Sequence, residues 1–112
     1  MKKYLLILTI SIFAISCSTP KPLYNWKGYD DAVYNYTKTS SKKDAQNLTK
    51  VYEKLIKDSG GSRKLPPPGV CADYGFLLIQ NGETAKGKEL LIKETVYYPE
   101  SKLFIDRILK RF

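Results

Sequence analysis

Histidine is absent from the 112 residues, cysteine occurs twice and tryptophan once. Without an imidazole the chain cannot by itself assemble a Ser-His-Asp triad, a Cys-His pair or a zinc site with a histidine ligand. Carboxylates number 11, and the only adjacent two, Asp30 and Asp31, stand where a helix is expected to begin. Capping and the helix dipole account for two acids there better than general acid-base chemistry does. A calcium loop would need Asp or Asn ligands alternating around a glycine, and no segment offers them. Gly60, Gly61 and Ser62 lead into Arg63, Lys64, Leu65 and Pro66 rather than into a helix, which excludes a phosphate-cradling loop. No catalytic residue, metal site or cofactor is expected, and the length suits one small domain.

Long apolar runs are also scarce. One stands near the start, where Lys2 and Lys3 precede an uncharged stretch over residues 4–15. At about 1.5 Å per residue its helix would reach roughly 18 Å, short of the ~30 Å hydrocarbon core of a bilayer. The layout is that of a signal peptide over residues 1–16. The sequence Phe13, Ala14, Ile15, Ser16, Cys17 resembles the lipobox of bacterial lipoproteins, with Ala14 where leucine is commonest. The resemblance implies diacylglyceryl transfer to the Cys17 thiol, cleavage after Ser16 and acylation of the new amino terminus. Ala14 and Ser16 also satisfy the rule of ordinary signal cleavage, so a freely secreted protein is the alternative. Lipidation would use up Cys17. Cys71, set among Val70, Tyr74, Leu77 and Leu78, is then expected to be a small buried hydrophobe, against the alternatives of a Cys17–Cys71 disulfide or a nucleophile.

Removing residues 1–16 leaves 96 residues with 17 basic and 11 acidic, net +6. Residues 17–22, with Pro20 and Pro22, look like a tether, and residues 23–112 like the folded domain. The expected fold is all-α, with four or five short helices and no strand, because no segment alternates apolar with polar residues. Tyr29, Ala32, Val33 and Tyr36 recur at helical spacing, with Asp30 available as a cap. Residues 44–58 carry one apolar stripe of Leu48, Val51, Tyr52, Leu55 and Ile56, with Lys50, Lys54 and Lys57 on another face. Leu65 and three prolines follow, either as a rigid connector or as an exposed polyproline ligand, with the connector favoured. Further helices are expected over residues 68–81, stopped by Asn81 and Gly82, over residues 83–98, stopped by Pro99, and after Ser101 as a cap. In the last of these, Phe104, Ile105, Ile108 and Phe112 share a face.

From Val70 onward the spacing of Gly75, Leu78, Gly82, Gly87, Leu91 and Pro99 is similar to the tetratricopeptide repeat, a helical hairpin of about 34 residues. Small residues at Gly75 and Gly87 would let the two helices approach closely, and Gly82 would supply a left-handed turn. Cys71, Tyr74, Thr84 and Glu94 depart from the repeat, which has tryptophan, leucine, tyrosine and alanine at those places. Residues 28–36 resemble the second helix of another repeat. The mature chain also resembles a family of small bacterial envelope lipoproteins of unknown function. The likeness rests on Leu23, Tyr24, Asn25 and Trp26 with Gly28 and Tyr29, on Pro67, Pro68 and Gly69, and on Tyr98, Pro99, Glu100 and Ser101 with Phe104, Ile105 and Asp106. Genes of that family commonly lie beside others for envelope lipoproteins, including a relative of the curli secretion channel. This implies a role in a membrane complex, Cys17 as the acylated residue and no catalytic residue.

Positive charge is local: residues 38–64, from Lys38 to Lys64, hold eight basic and three acidic residues, whereas residues 65–99 are net −1. That segment is either a solvated helix face or a surface for anionic headgroups or an acidic partner. Export argues against nucleic acid as a partner, and so does the single arginine of the segment. Among the aromatics, Tyr24, Trp26 and Tyr34 are candidate anchors for a partner protein, with packing of Trp26 back onto the helices as the alternative. The expectation is a lipid-anchored, non-catalytic adaptor or stabilising subunit of a cell-envelope complex, on the periplasmic face of the outer membrane. Its partners would be the membrane and other envelope lipoproteins or a channel-like protein. The alternative is an envelope protein that binds anionic lipid or glycan through residues 38–64.

Overall fold

The computed structural model describes Met1 and residues 18–112; the expected signal segment from residue 2 and the lipid-attachment residue Cys17 lie outside them. The described residues form five α-helices, a 3-10 turn and no strand, so the fold is all-α as expected. The helices are α1 (Tyr29–Thr39), α2 (Lys42–Lys57), α3 (Val70–Gln80), α4 (Thr84–Tyr97) and α5 (Lys102–Leu109), with the 3-10 turn Pro99–Ser101 between the last two. No helix among the described residues is long and apolar enough to cross a membrane.

The start of α1 departs from the sequence reading. Its cap is Gly28, at φ 84°, and the expected cap Asp30 lies with Asp31 in the first turn. The left-handed glycine folds the chain so that backbone carbonyls take the first amides: Tyr29 donates to the Trp26 carbonyl and Ala32 to that of Gly28. The acids are left to complement the helix dipole. Helix α2 begins two residues earlier than expected, at Lys42, because the Ser41 side chain caps it. The Ser41 hydroxyl accepts from the Asp44 amide at 3.1 Å and donates to the Asp44 carboxylate at 2.5 Å. Thr39 donates to the same carboxylate. The Ser41 bond first, then that of Thr39, holds the Asp44 carboxyl below the usual range. On α2 the predicted stripe is the buried one, through Leu48, Tyr52 and Leu55, and Lys50, Lys54 and Lys57 face solvent.

After α2 the chain doubles back along its own lead-in. Ser62 and Arg63 donate to the carbonyls of Pro22 and Leu23 at 3.0 and 3.1 Å, so the chain is tied down from Pro22 onward. Pro66 and Pro67 are fully buried, and the Tyr98 hydroxyl donates to the Pro66 carbonyl at 2.5 Å. The proline run is therefore a clamped connector rather than an exposed ligand. It delivers the chain to Gly69, whose φ of 89° makes it the cap of α3.

Helix α3 buries eight of its eleven residues because two cores claim it. One side joins Ala32, Leu48, Tyr52 and Leu55 through Val70, Tyr74, Leu77 and Leu78; the other joins Leu91 and Ile105 through Ala72 and Ile79. Against α4 it packs through glycine. A Cβ on Gly75 would lie 2.6 Å from the Gly87 carbonyl oxygen, and one on Gly87 would lie 2.5 Å from that of Gly75. Backbone touches backbone there, which is the packing reason that two mid-helix glycines require. Gly82, at φ 89°, makes the turn of this hairpin as expected.

The last helix differs from expectation in two ways. Ser101 does not cap it with its side chain; the hydroxyl instead donates to the Tyr98 carbonyl at 2.7 Å, closing the 3-10 turn that Pro99 begins. Of its expected apolar face, Ile105 is buried, Ile108 half-buried and Phe104 63% exposed, whereas Phe112 lies beyond the helix, which ends at Leu109, and is 49% exposed. The stripe exists, but α3 and α4 cover only its inner edge.

Candidate functional site

The residues of α3 that escape burial are Asp73, Phe76 and Gln80, spaced three and four apart on one face. That face is the floor of an open groove. On one side Tyr29, Val33 and Tyr36 of α1 enclose a hollow of about 250 Å³ above Asp73 and Phe76. On the other side Phe104 and Ile108 of α5 enclose a second hollow, of about 300 Å³, above the same two residues and Ala72. Phe112 closes the far end edge-on to Phe76, with ring centroids 6.4 Å apart. Arg107 and Arg111 border the α5 wall beside Phe104 and Ile108.

An aromatic ladder props up the α1 wall. Trp26 stands edge-on to Tyr29 at 5.1 Å, Tyr29 is tilted against Tyr52 at 6.2 Å, and Tyr52 stacks on Tyr74 at 5.6 Å. Two of the ladder's tyrosines are pinned by carboxylates. Tyr29 donates to Asp73 and Tyr74 to Glu53, both at 2.9 Å. Burial first, then these acceptors, pushes each phenol up to about 12. Both remain hydrogen-bond donors across the physiological range, so the ladder is a fixed support and not a proton relay.

Among the described residues one charged side chain is buried, Glu94 of α4, at 3% exposure. It occupies the start of α3 from the neighbouring helix: its Oε1 accepts the Gly69 amide at 2.7 Å, and the amides of Cys71 and Ala72 also face the carboxylate. A helix N-terminus offers orphan amides and partial positive charge, so an acid from α4 completes α3 where Gly69 has no side chain to do so. Oε2 has no partner among the described residues. Burial outweighs the amide bonds, and the carboxyl sits above the usual glutamate range. Cys71, wholly buried beside it, has its thiol pushed up to about 11, by burial and then by the Glu94 charge. A protonated, enclosed thiol packs as a small hydrophobe.

The candidate anchors fall in three different settings. Tyr24 is half-buried, edge-on to Tyr98 at 6.3 Å with the Arg63 guanidinium 6.0 Å over its ring. Trp26 keeps 40% of its surface exposed while bracing Tyr29. Tyr34 is 64% exposed, with the Lys38 ammonium 5.8 Å over its ring, on a face of α1 other than the groove wall. Lys50, Lys54 and Lys57 lie on the outer face of α2, away from the groove residues. The groove itself was missed at the level of sequence. Phe76 is hidden within an apolar run, and the shared face of Phe104, Ile105, Ile108 and Phe112 does not show which of its residues stay exposed. Glu94 could have been found, because it continues the buried series Gly87, Leu91, Glu94, Tyr98 at spacings of four, three and four.

Among the described residues there is no cluster of three metal-ligating side chains. No curated protein and no solved structure matches the chain. A family model does match, over residues 23–108, from the docked lead-in to the half-covered α5: the chain belongs to the family defined by the domain of unknown function DUF4810.

Proposed function

We propose that this protein is a lipid-anchored adaptor of the bacterial cell envelope, a non-catalytic subunit that holds a partner protein against α3 in a tetratricopeptide-like frame. The observation that carries the reading is the open groove. Its floor and walls expose Phe76, Phe104 and Phe112 together, and contiguous exposed aromatics on a small domain mark an interaction surface. The glycine-to-glycine contact of α3 and α4 supports the repeat-like frame, since that is where the repeat has its small residues. The lipobox-like sequence ending at Cys17 supports the anchor, and docking of the lead-in at Pro22 leaves residues 18–21 as the spacer to it. A bilayer-held domain meets a neighbouring membrane protein at high effective concentration, so a small groove suffices. The outer membrane, periplasmic face, is the proposed location.

The second reading, a protein for anionic lipid or glycan, rests on the exposed row of Lys50, Lys54 and Lys57. Purification from envelopes at low and high salt separates the two. The adaptor reading expects one protein to co-purify at a fixed ratio and to survive high salt, because apolar seating dominates. Steeply salt-dependent binding to anionic vesicles, with no co-purifying protein, would replace it with the second reading.

A further inference from the structure

We infer that the groove between α1 and α5 takes an amphipathic helix of another protein, one whose apolar stripe is flanked by carboxylates. The inference rests on the adaptor reading and adds the form and charge of the occupant.

Form follows from the backbone. An extended peptide gains affinity by adding to a sheet edge, and no strand exists among the described residues. The groove walls offer side chains, most of them apolar: Val33 and Tyr36 on one side, Phe104 and Ile108 on the other. An occupant that leaves water for such a surface must satisfy its own amides and carbonyls, which a helix does. The exposed floor residues Asp73, Phe76 and Gln80 run along α3 for two turns, so residues three and four apart on the incoming helix can seat in the two hollows.

Charge follows from the α5 wall. Arg107 in the last turn of α5 and Arg111 just past its end are exposed beside Phe104 and Ile108, and neither has an ion-pair partner among the described residues. The nearest acid in sequence, Asp106, is held by Lys102 at 3.0 Å. In the floor, Asp73 is engaged by Tyr29. The unmet charge beside the groove is therefore positive and lies along its α5 rim. A second copy of this chain is a poor occupant, because the net charge of +6 that remains after removal of residues 1–16 makes two copies repel.

The test uses the full chain in the cells that make it, with the photoreactive p-benzoylphenylalanine placed at Phe76, at Phe104 or, outside the groove, at Val96. Crosslinked peptides are sequenced by mass spectrometry. The expected product from Phe76 and Phe104 is a segment with apolar residues three and four apart and at least two carboxylates beside them. Its yield should fall roughly tenfold in the Arg107→Glu, Arg111→Glu double variant and stay within about twofold in the double lysine variant. Both arginines are exposed, so membrane levels and helical content of the variants check that the domain still folds. A groove product without carboxylates, with a second copy, or with lipid overturns the inference, as does a yield that charge reversal leaves unchanged. A protein product from Val96 with none from the groove overturns it together with the placing of the partner against α3, whereas a groove protein product without carboxylates overturns the inference alone. No protein product from any position sinks both.

Discussion

Replacing Glu94 tests whether an acid from α4 completes α3. In Glu94→Ala the amide of Gly69 loses its acceptor at 2.7 Å, and those of Cys71 and Ala72 lose the carboxylate they face. Cys71 and Ala72 are buried and Gly69 half-buried, with Glu94 itself 3% exposed. An orphaned buried donor costs about 1–3 kcal/mol, and the vacated side-chain volume adds to it. Against this stands the recovered cost of burying the carboxylate, so a net loss of roughly 2–4 kcal/mol is expected. Glu94→Gln keeps one carbonyl oxygen at the site without the charge and should stay within about 1 kcal/mol of the parent.

The pH dependence separates the two effects. The folded-state pKa of Glu94 is raised, so between the ordinary glutamate value and the raised one the folded protein binds more protons than the unfolded chain. Stability from this group therefore falls as pH rises through that window and is flat above it. Asp44 works in the opposite sense and lower: its depressed pKa gives stability that is lost only as pH drops through the acid range. Urea denaturation followed by circular dichroism, from neutral pH down into the glutamate range, should show the parent gaining stability relative to Glu94→Gln on acidification. A Glu94→Ala midpoint equal to the parent's, or a Gln variant that keeps the parent's slope, would refute the reasoning.

Gly87→Ala should cost more than about 2 kcal/mol and lower the thermal midpoint, because the new Cβ would stand 2.5 Å from both the Gly75 carbonyl and Ile79; a neutral result would mean that the helices can part freely. Tyr98→Phe removes the donor to the Pro66 carbonyl and should destabilise the domain by about 1–2 kcal/mol in the same urea assay. Cys71 should resist aqueous thiol reagents at pH 8 in the folded chain and react only on unfolding, since it is wholly buried with its thiol pushed up to about 11.

Periodicity identified which residues share a face but not whether anything covers it. The α2 stripe was legible because Leu48, Tyr52 and Leu55 recur among lysines, and the contrast survives in a single sequence. The α3–α4 contact was legible for a different reason: mid-helix glycine is costly, so Gly75 and Gly87 announce a close approach. The α5 stripe reads the same whether buried or bare, and Phe104 is an exposed groove wall because none of the described helices covers it. At α1 and α3 the local signals misled. Asp30 and Pro68 looked like the natural openings, whereas the chain turns through left-handed Gly28 and Gly69, and in α3 the capping acid comes from Glu94, 25 residues further on.

Anchoring is the claim on which the adaptor reading stands, and metabolic labelling reaches it most directly. Cells grown with labelled palmitate should yield this chain labelled and in the membrane fraction, and Cys17→Ser should abolish both the label and the sedimentation. An unlabelled parent chain recovered in the aqueous extract would contradict the account.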